Sequence, residues 1–471
     1  MSHQIRADYE QMDLLPQCLE DWVPKDHPAR FIREFVDALD LPALGFVEHE
    51  GEEGRPAYAS DLMLKVWLYG YLARIRTTRQ LERACKEHLS LLWLTGRQAP
   101  DHNSFWRFWG ANLVPLRKVF RAAVKVAAEQ GLVGMICHAV DGTKIRAASS
   151  RRTLEHEEEL AQLLARVEAS IAEMEAAVAR AEKEEGGEYR LPERLQEARQ
   201  LRAAIQESLG KMAEAGRAHL HPQEPEARLM PCEGRMDPAY NAQAVADARA
   251  QVVVAATVVN AESDNAQLLP MLEEVKANLG EVAEETVADG GYASAQQLGE
   301  AQGRGHEVLV APGVETGGPK RGEFDSRRFT YDSEAEAVIC PQGQRLRFEG
   351  MKKKGEGRPA VRSYRCTHWA QCPVRALCSR RRDGRRIEVS PQRAALQRQR
   401  EKRRDPVKQA LLRQRKAIVE PVFATIKQAM GFRRWTVRGL EKVRTQWALL
   451  CTAYNLHKVY KRWAAAQLAR A

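Results

Sequence analysis

The sequence predicts an α/β protein: a mixed sheet flanked by helices, with an all-helical N-terminal part, an inserted helical hairpin and a small cysteine module. Three observations predict it. Residues 1–130 place apolar side chains only at helical spacing. Residues 131–311 alternate β-type apolar runs with helical stretches. Two segments of different composition, 151–218 and 336–392, break that alternation.

In the N-terminal part Phe31-Ile32, Phe35-Val36 and Leu39 recur at helical intervals, as do Leu62, Leu64, Val66, Leu68 and Leu72. Gly54-Arg55-Pro56 predicts a break between these helices. Pro100-Asp101-His102-Asn103-Ser104 predicts a turn into another, with Asn103 or Ser104 as its N-cap. Trp93, Trp106 and Trp109 are expected in the core.

The pattern then changes to a strand, Met135 to Val140, that ends at Asp141. A charged helical stretch follows, in which Leu160, Leu164, Val167, Ile171, Met174 and Val178 form a coiled-coil seam. Gly186-Gly187 interrupts it, and Leu195, Ala198, Ile205, Leu209 and Met212 resume the stripe, so an antiparallel hairpin is expected. Strand signals return at 242–246 and 252–259, then a helix over 266–279, a strand ending at Asp289, a further helix, and a strand over 307–311. The order β-β-β-α-β-α-β describes a mixed sheet. From about residue 394 the chain reads as helical.

Charge is unevenly spread. Residues 341–471 hold 34 Lys or Arg against 8 Asp or Glu, whereas the other 340 hold 39 against 55. A C-terminal part so basic is expected to meet a polyanion, unless the two parts neutralise each other within the fold. No apolar run reaches the ~20 residues of a membrane span, and a secretion signal is missing from the N-terminal residues. A cytoplasmic protein with no membrane contact is expected.

Three carboxylates carry the chemical reading. Asp141 and Asp289 each end an apolar run, and Glu420 sits in the helical stretch Arg413 to Phe423. Hard oxygen ligands from two strand ends and a helix can hold two divalent ions, which clamp the attacking and leaving oxygens of a phosphoryl transfer. Each acid also has a plainer reading: Asp141 before Gly142 and Asp289 before Gly290-Gly291 as turn residues, Glu420 as a solvated helix glutamate. Asp237 and Asp247 compete for the same role, and Asp264 reads as a helix N-cap.

The segments His138-Ala139-Val140-Asp141-Gly142-Thr143-Lys144, Ala288-Asp289-Gly290-Gly291-Tyr292 and Val419-Glu420-Pro421-Val422-Phe423 resemble the DDE transposases of bacterial insertion sequences. Lys427, Gly431-Phe432-Arg433-Arg434 and Arg438-Gly439-Leu440 extend the resemblance, and so do Tyr69-Gly70-Tyr71-Leu72 and Pro100-Asp101-His102 in the helical part. The resemblance implies a ribonuclease-H-like core over 131–335 completed by 393–471, with a helical domain over 1–130 that binds the element's ends. It implies Asp141, Asp289 and Glu420 as ligands of Mg²⁺ or Mn²⁺, and Lys427 beside a phosphate. Double-stranded DNA is the implied substrate, as terminal inverted repeats and as target. A homodimer or higher oligomer would form on it. One departure stands out: the wider superfamily places tyrosine and arginine before the glutamate, where this chain has Arg413 and Lys416. Lysine keeps the charge but loses the bidentate fork.

Cys340, Cys366, Cys372 and Cys378 are expected to bind structural Zn²⁺ as thiolates, with Cys340-Pro341-Gln342-Gly343 as a ligand knuckle. A basic run that includes Arg381, Arg385 and Arg386 precedes the Glu420 helix. Together with Lys416, Lys427, Arg433, Arg434 and Arg438 it supplies the expected contacts to DNA phosphates. The reading is thus a transposase that cuts element ends and joins them to target DNA. The alternative is a catalytically inactive, transposase-derived DNA-binding regulator.

Overall fold

The computed structural model describes residues 18–47, 56–185, 193–312, 324, 328–332, 335–352, 360–379, 381, 383–389 and 391–468. Gly54-Arg55 and Gly186-Gly187, both named above as breaks, lie outside these residues, as do Arg380 and Arg382 of the basic run.

Among the described residues a 3-10 turn, Leu19–Trp22, is followed by seven α-helices: α1 (Pro28–Asp37), α2 (Leu41–Leu44), α3 (Ser60–Leu72), α4 (Thr78–Glu87), α5 (Leu89–Leu94), α6 (His102–Ala111) and α7 (Leu113–Glu129). Asp101, not Asn103 or Ser104, caps α6, accepting the Ser104 N–H at 2.7 Å. The aspartate oxygen satisfies an N–H that would otherwise be orphaned, so the helix starts earlier than expected. Trp93 and Trp109 are buried as expected, but Trp106 is 44% exposed, with the Lys442 ammonium 4.8 Å from its ring centroid. The long C-terminal helix α15 (Leu440–Leu468, numbered ahead of its turn in the chain) packs on α1, α3 and α7. Phe31 meets Tyr460 and Trp463, and Gln446 donates to the Tyr71 hydroxyl at 3.3 Å. One apolar core runs from these helices into the sheet.

That sheet contains β1 (Cys137–Arg146), β4 (Arg228–Cys232), β5 (Arg235–Asp247), β6 (Val253–Val259), β7 (Glu285–Ala288) and β8 (Val308–Val310). Its order is β4-β5-β1-β7-β8, with β6 also paired to β5; β4, β6 and β1 run antiparallel to β5, and β7 and β8 parallel to β1. The sheet is mixed, as expected. Strand β4 was not foreseen, because Pro231 argues against a central strand; it is tolerated at an edge position against one end of β5. Strand β5 is longer than its apolar signal because its polar members, from Asp237 to Asp247, are buried too.

Between β1 and β4 the chain forms β2 (Glu155–His156), helices α8 (Glu157–Glu185) and α9 (Glu193–Ala215), and β3 (His219–Leu220). Strands β2 and β3 pair at the neck of this hairpin. Val167, Ile171, Leu195 and Ile205 form its core, joined by Leu160, Leu163, Leu164, Met174, Ala198 and Leu209. Most of the seam read from heptad spacing is packed, while Val178 and Met212 lie outside this cluster and Leu163 joins it. After β6 come α10 (Leu268–Leu279), which leads to β7, and α11 (Ala295–Gly303), which leads to β8.

The cysteine segment, read above only as a small module, is built of strands. It is a five-stranded antiparallel sheet, β9 (Thr330–Asp332), β10 (Ala337–Ile339), β11 (Arg345–Lys352), β12 (Val361–Arg365) and β13 (Arg386–Val389), paired in the order β13-β12-β11-β10-β9. It has an apolar core of its own: Phe329, Tyr331, Val338, Leu346, Tyr364, Ile387 and Val389. The short helix α12 (Arg375–Cys378) lies between β12 and β13. Helices α13 (Pro391–Lys402) and α14 (Pro406–Ala424) follow, and α14 runs on into a π-type turn, Thr425–Ala429.

Strand β6 would present unpaired main-chain groups if its outer edge were bare. Helix side chains cover it. Asn455 bonds both the N–H and the C=O of Val253, at 2.8 and 2.7 Å. Asn278 donates to the Val254 carbonyl, Arg444 to that of Val258, and Glu274 accepts the Ala256 N–H at 3.2 Å. Burial pushes the Glu274 carboxyl up to about 7. A carboxyl raised in the folded state adds stability below its unfolded value near 4.3, and that stability is lost as pH rises toward 7. Each pH unit in that window should cost at most about 1.4 kcal/mol. Glu274→Gln should flatten this slope and be the more stable protein at pH 8, as read by chemical denaturation from pH 4.5 to 8.

Candidate active site

Strands β1 and β7 lie side by side in parallel register, with Val140 opposite Ala288. Asp141 and Asp289, one residue further along each, therefore stand side by side. Asp289 is just past the end of β7, and Asp141 is within β1, which does not end there as expected but runs on to Arg146. Asp141 is inside β1, paired across to Ala244, so its reading as a turn residue is overturned. Asp289 is both strand end and turn: its carboxylate accepts the Gly291 N–H at 2.8 Å and caps the short turn Gly290–Tyr292. Burial pushes the Asp141 carboxyl up, the Arg415 guanidinium and the Gly142 N–H oppose this, and Asp289 pushes it up further.

Helix α14 crosses this edge, packing on β1, β5 and β7 through Ile418, Val419, Val422 and Phe423. It carries two cations to β1. Arg415 pairs with Asp141 at 2.8 Å, its side chain only 11% exposed. Lys427, on the π-type turn, donates to the Thr143 hydroxyl, and burial holds its ammonium below the ordinary lysine value. Glu420 lies between these two anchors along the helix and is exposed, as are Lys416 and Arg413. Arg415 was missed as a site residue because its spacing distinguishes it in no way from the arginines around it.

Asp264 was read as a helix N-cap, and the structure corrects this. Gln267 occupies the N-cap position of α10, with no side-chain cap bond. The Asp264 carboxylate instead accepts from Lys144 at 3.2 Å, Asn241 at 2.6 Å and Gln243 at 2.7 Å. The Tyr292 hydroxyl donates to Gln243, and Asp264, Asp141 and Asp289 all surround that phenol closely enough to raise it, after burial itself. Gly142 makes room for the network: a Cβ there would stand 2.4 Å from Gln243 Nε2 and 3.0 Å from Asp264 Oδ1. The nearby Trp447 indole N–H donates to the Gln243 carbonyl at 2.9 Å, fixing β5 from α15. Of the competing acids, Asp237 pairs with Arg235, and Asp247 accepts the N–H groups of Gly134, Met135 and Arg249. Both serve the fold.

Among the described residues, no group of three or more His, Cys, Asp or Glu side chains is placed to hold a metal ion. Asp141 and Asp289 stand side by side with the Arg415 guanidinium against Asp141, and Glu420, exposed on α14, does not complete a metal-holding group with them. The four cysteines are partly buried at the small sheet and near one another, since Cys340, Cys366 and Cys372 all push the Cys378 thiol up after burial. Cys340 starts a tight turn closed by Gly343 at φ 77°, and its sulfur accepts the Gln344 N–H at 3.3 Å.

The expected DNA contacts divide. Arg381, Arg433 and Arg438 are exposed, and Arg433 bonds Glu233 and Gln428. Arg386 is paired with Glu349 and Asp383, and Arg385 lies over the Phe329 ring at 5.8 Å from its centroid. Arg434 holds the carbonyls of Ala147, Ala148 and Ser149.

The family described as "Transposase DDE domain" matches residues 339–460, which include Glu420 and Lys427 but neither Asp141 nor Asp289. A second family, "Transposase domain (DUF772)", matches residues 17–110 in the N-terminal helices. No curated protein matches the chain.

Gly142→Ala should force Gln243 out of its buried network and cost about 1–3 kcal/mol. A shifted denaturation midpoint would report it, and an unchanged midpoint would show that the network relaxes freely around a methyl group.

Proposed function

The chain is a DDE-type transposase of an insertion element, and from that premise we propose that the edge carrying Asp141 and Asp289 cleaves DNA at the element's ends and transfers the freed strand to target DNA. The observation that carries this reading is the parallel register of β1 and β7, which sets two carboxylates side by side under a helix bearing Glu420. The path β6-β5-β1-β7-β8, in which β6, β5 and β1 are antiparallel neighbours and β7 and β8 run parallel to β1, suits a ribonuclease-H-like core.

Asp141 and Asp289 would hold Mg²⁺ or Mn²⁺ with Glu420, and such ions supply charge for the attacking and leaving oxygens of an in-line displacement. The chain's own groups prepare the edge. Arg415 sets a guanidinium against Asp141 and opposes the upward push that burial and Asp289 exert on that carboxyl. Lys427, poorly hydrated and held by Thr143, presents an ammonium where a phosphate oxygen would lie, and its partial burial strengthens that attraction. The Asp264 network holds Tyr292 and Gln243 rigid behind the Asp289 turn, which keeps the second carboxylate in place.

Asp289→Asn should abolish Mg²⁺-dependent cutting of a duplex carrying the repeats that flank the gene, a loss of at least about 10³-fold. It should leave duplex binding largely intact. Undiminished cutting would sink the carboxylate assignment, and binding without cutting by the unaltered protein would favour the inactive regulator.

The four cysteines, partly buried together beside one sheet, would supply thiolates to a structural Zn²⁺ whose binding displaces their protons. Purified protein should carry one zinc per chain by metal analysis. Cys372→Ser should lower both that content and the melting temperature; full thermal stability after chelation would remove zinc from the account.

A further inference from the structure

A cavity of about 450 Å³ opens beyond the far end of β1, lined by Arg146, Ser149, Arg151, Arg152, Arg235 and Arg434, with Asp237 as its one acid. It is large enough for a nucleotide-sized group rather than a bare ion. Its charge is not cancelled. Asp237 pairs with Arg235 at 2.8 Å, and Glu233 approaches Arg146 only to 3.7 Å. The carbonyls that Arg434 bonds are neutral acceptors and leave its positive charge standing. Arg151 and Arg152 are exposed on a short turn, and among the described residues no carboxylate pairs with either.

Ser149 points to a ligand independently of charge. It is 5% exposed, and its hydroxyl has no hydrogen-bond partner. Its main chain is fully engaged, the N–H donating to Glu224 at 2.9 Å and the carbonyl accepting from Arg434 at 2.8 Å. A buried hydroxyl left without a partner costs about 1–3 kcal/mol, so one at the wall of a cationic cavity calls for an acceptor there. Arg146 Nε is likewise buried and unpartnered.

We infer that this cavity binds a sugar-phosphate of a DNA strand, a phosphate oxygen accepting from Ser149 and from the free arginines. The inference rests on the DNA-cleaving reading of the Asp141 edge and adds a second anchor to it. Arg146 lies five residues along β1 from Asp141, about 17 Å at strand rise, so the anchored phosphate would sit roughly five base-pair steps from the bond to be cut. Two fixed points on one duplex would set which phosphate faces the carboxylates, without reading any base.

The test measures binding of the end-repeat duplex by fluorescence anisotropy from 50 to 200 mM salt, for the unaltered protein, for the Arg151→Ala/Arg152→Ala pair and for Ser149→Ala. The double variant, altered only on an exposed turn, should lose about two from the slope of log affinity against log salt. A single methylphosphonate placed about five steps from the cut should weaken the unaltered protein several-fold and leave Ser149→Ala indifferent. Equal slopes for the double variant and the unaltered protein would overturn the proposal, as would a methylphosphonate effect that survives Ser149→Ala. So would displacement of duplex by inorganic phosphate beyond that of chloride at equal ionic strength, which would mark a free-phosphate site. Failure of the unaltered protein to bind any duplex would remove the broader reading as well, whereas normal cutting with unchanged slopes removes the cavity alone.

Discussion

The structure turns on two carboxylates that a parallel strand pair forces together. Register between β1 and β7 leaves no freedom: with Val140 against Ala288, Asp141 and Asp289 must stand at neighbouring points. Burial and the neighbouring Asp289 both oppose ionisation of Asp141. A fold gains nothing from such an arrangement. It is sustained because the surroundings over-determine it, through an eleven-residue stretch of β5 that is buried without interruption and through the indole of Trp447 bonded to that strand.

Helix α14 answers the repulsion from above. Arg415 reaches Asp141, Lys427 reaches Thr143, and between them the helix passes Pro421 and loosens into a π-type turn. Pro421 removes one main-chain donor, and the turn re-spaces the residues that follow. Straight α-geometry would aim Lys427 by the 3.6 period set by Lys416 and Glu420; the turn changes that aim and brings its ammonium to β1. Phe423, Phe432, Trp435 and Trp447 pack in a chain of ring contacts beneath this point, so the helix end is held by the core and not by the ion pairs alone.

What could be read in advance follows from which signals are local. Apolar runs ending in Asp141 and Asp289 marked the strands, and heptad spacing marked the hairpin and most of its packed residues. Strand β4 escaped because Pro231 speaks against a strand wherever edge position is unknown, and the small antiparallel sheet escaped because its core is seven residues dispersed over sixty. Asp264 is the more instructive case. An aspartate followed by Asn265 and an apolar run has every local mark of a helix cap, yet a fold that leaves Gly142 without a side chain opens a better offer: an ammonium and two amides at hydrogen-bonding distance. That competition is decided by tertiary neighbours, which a single stretch of sequence does not contain. The same holds for Arg415, one arginine among several until a strand is placed opposite it.

The uneven charge of the chain also changes meaning once the partners are known. Part of the basic excess in the C-terminal third is answered inside the molecule: Arg415 by Asp141, Lys402 by Glu307, Lys408 by Glu285, Arg433 by Glu233 and Arg117 in return by Glu441. Neutralisation within the fold therefore accounts for some of the polarity without any polyanion. It does not account for Lys416, Arg381 and Arg438 on the surface, nor for the turn arginines at the cavity beyond β1. Like-charged groups left exposed and close together repel, a cost that is relieved when counter-charge arrives. Lys416 lies on the late helix one position from Arg415, and the turn arginines lie past the end of β1, so part of the excess charge stands on the two elements that meet at Asp141.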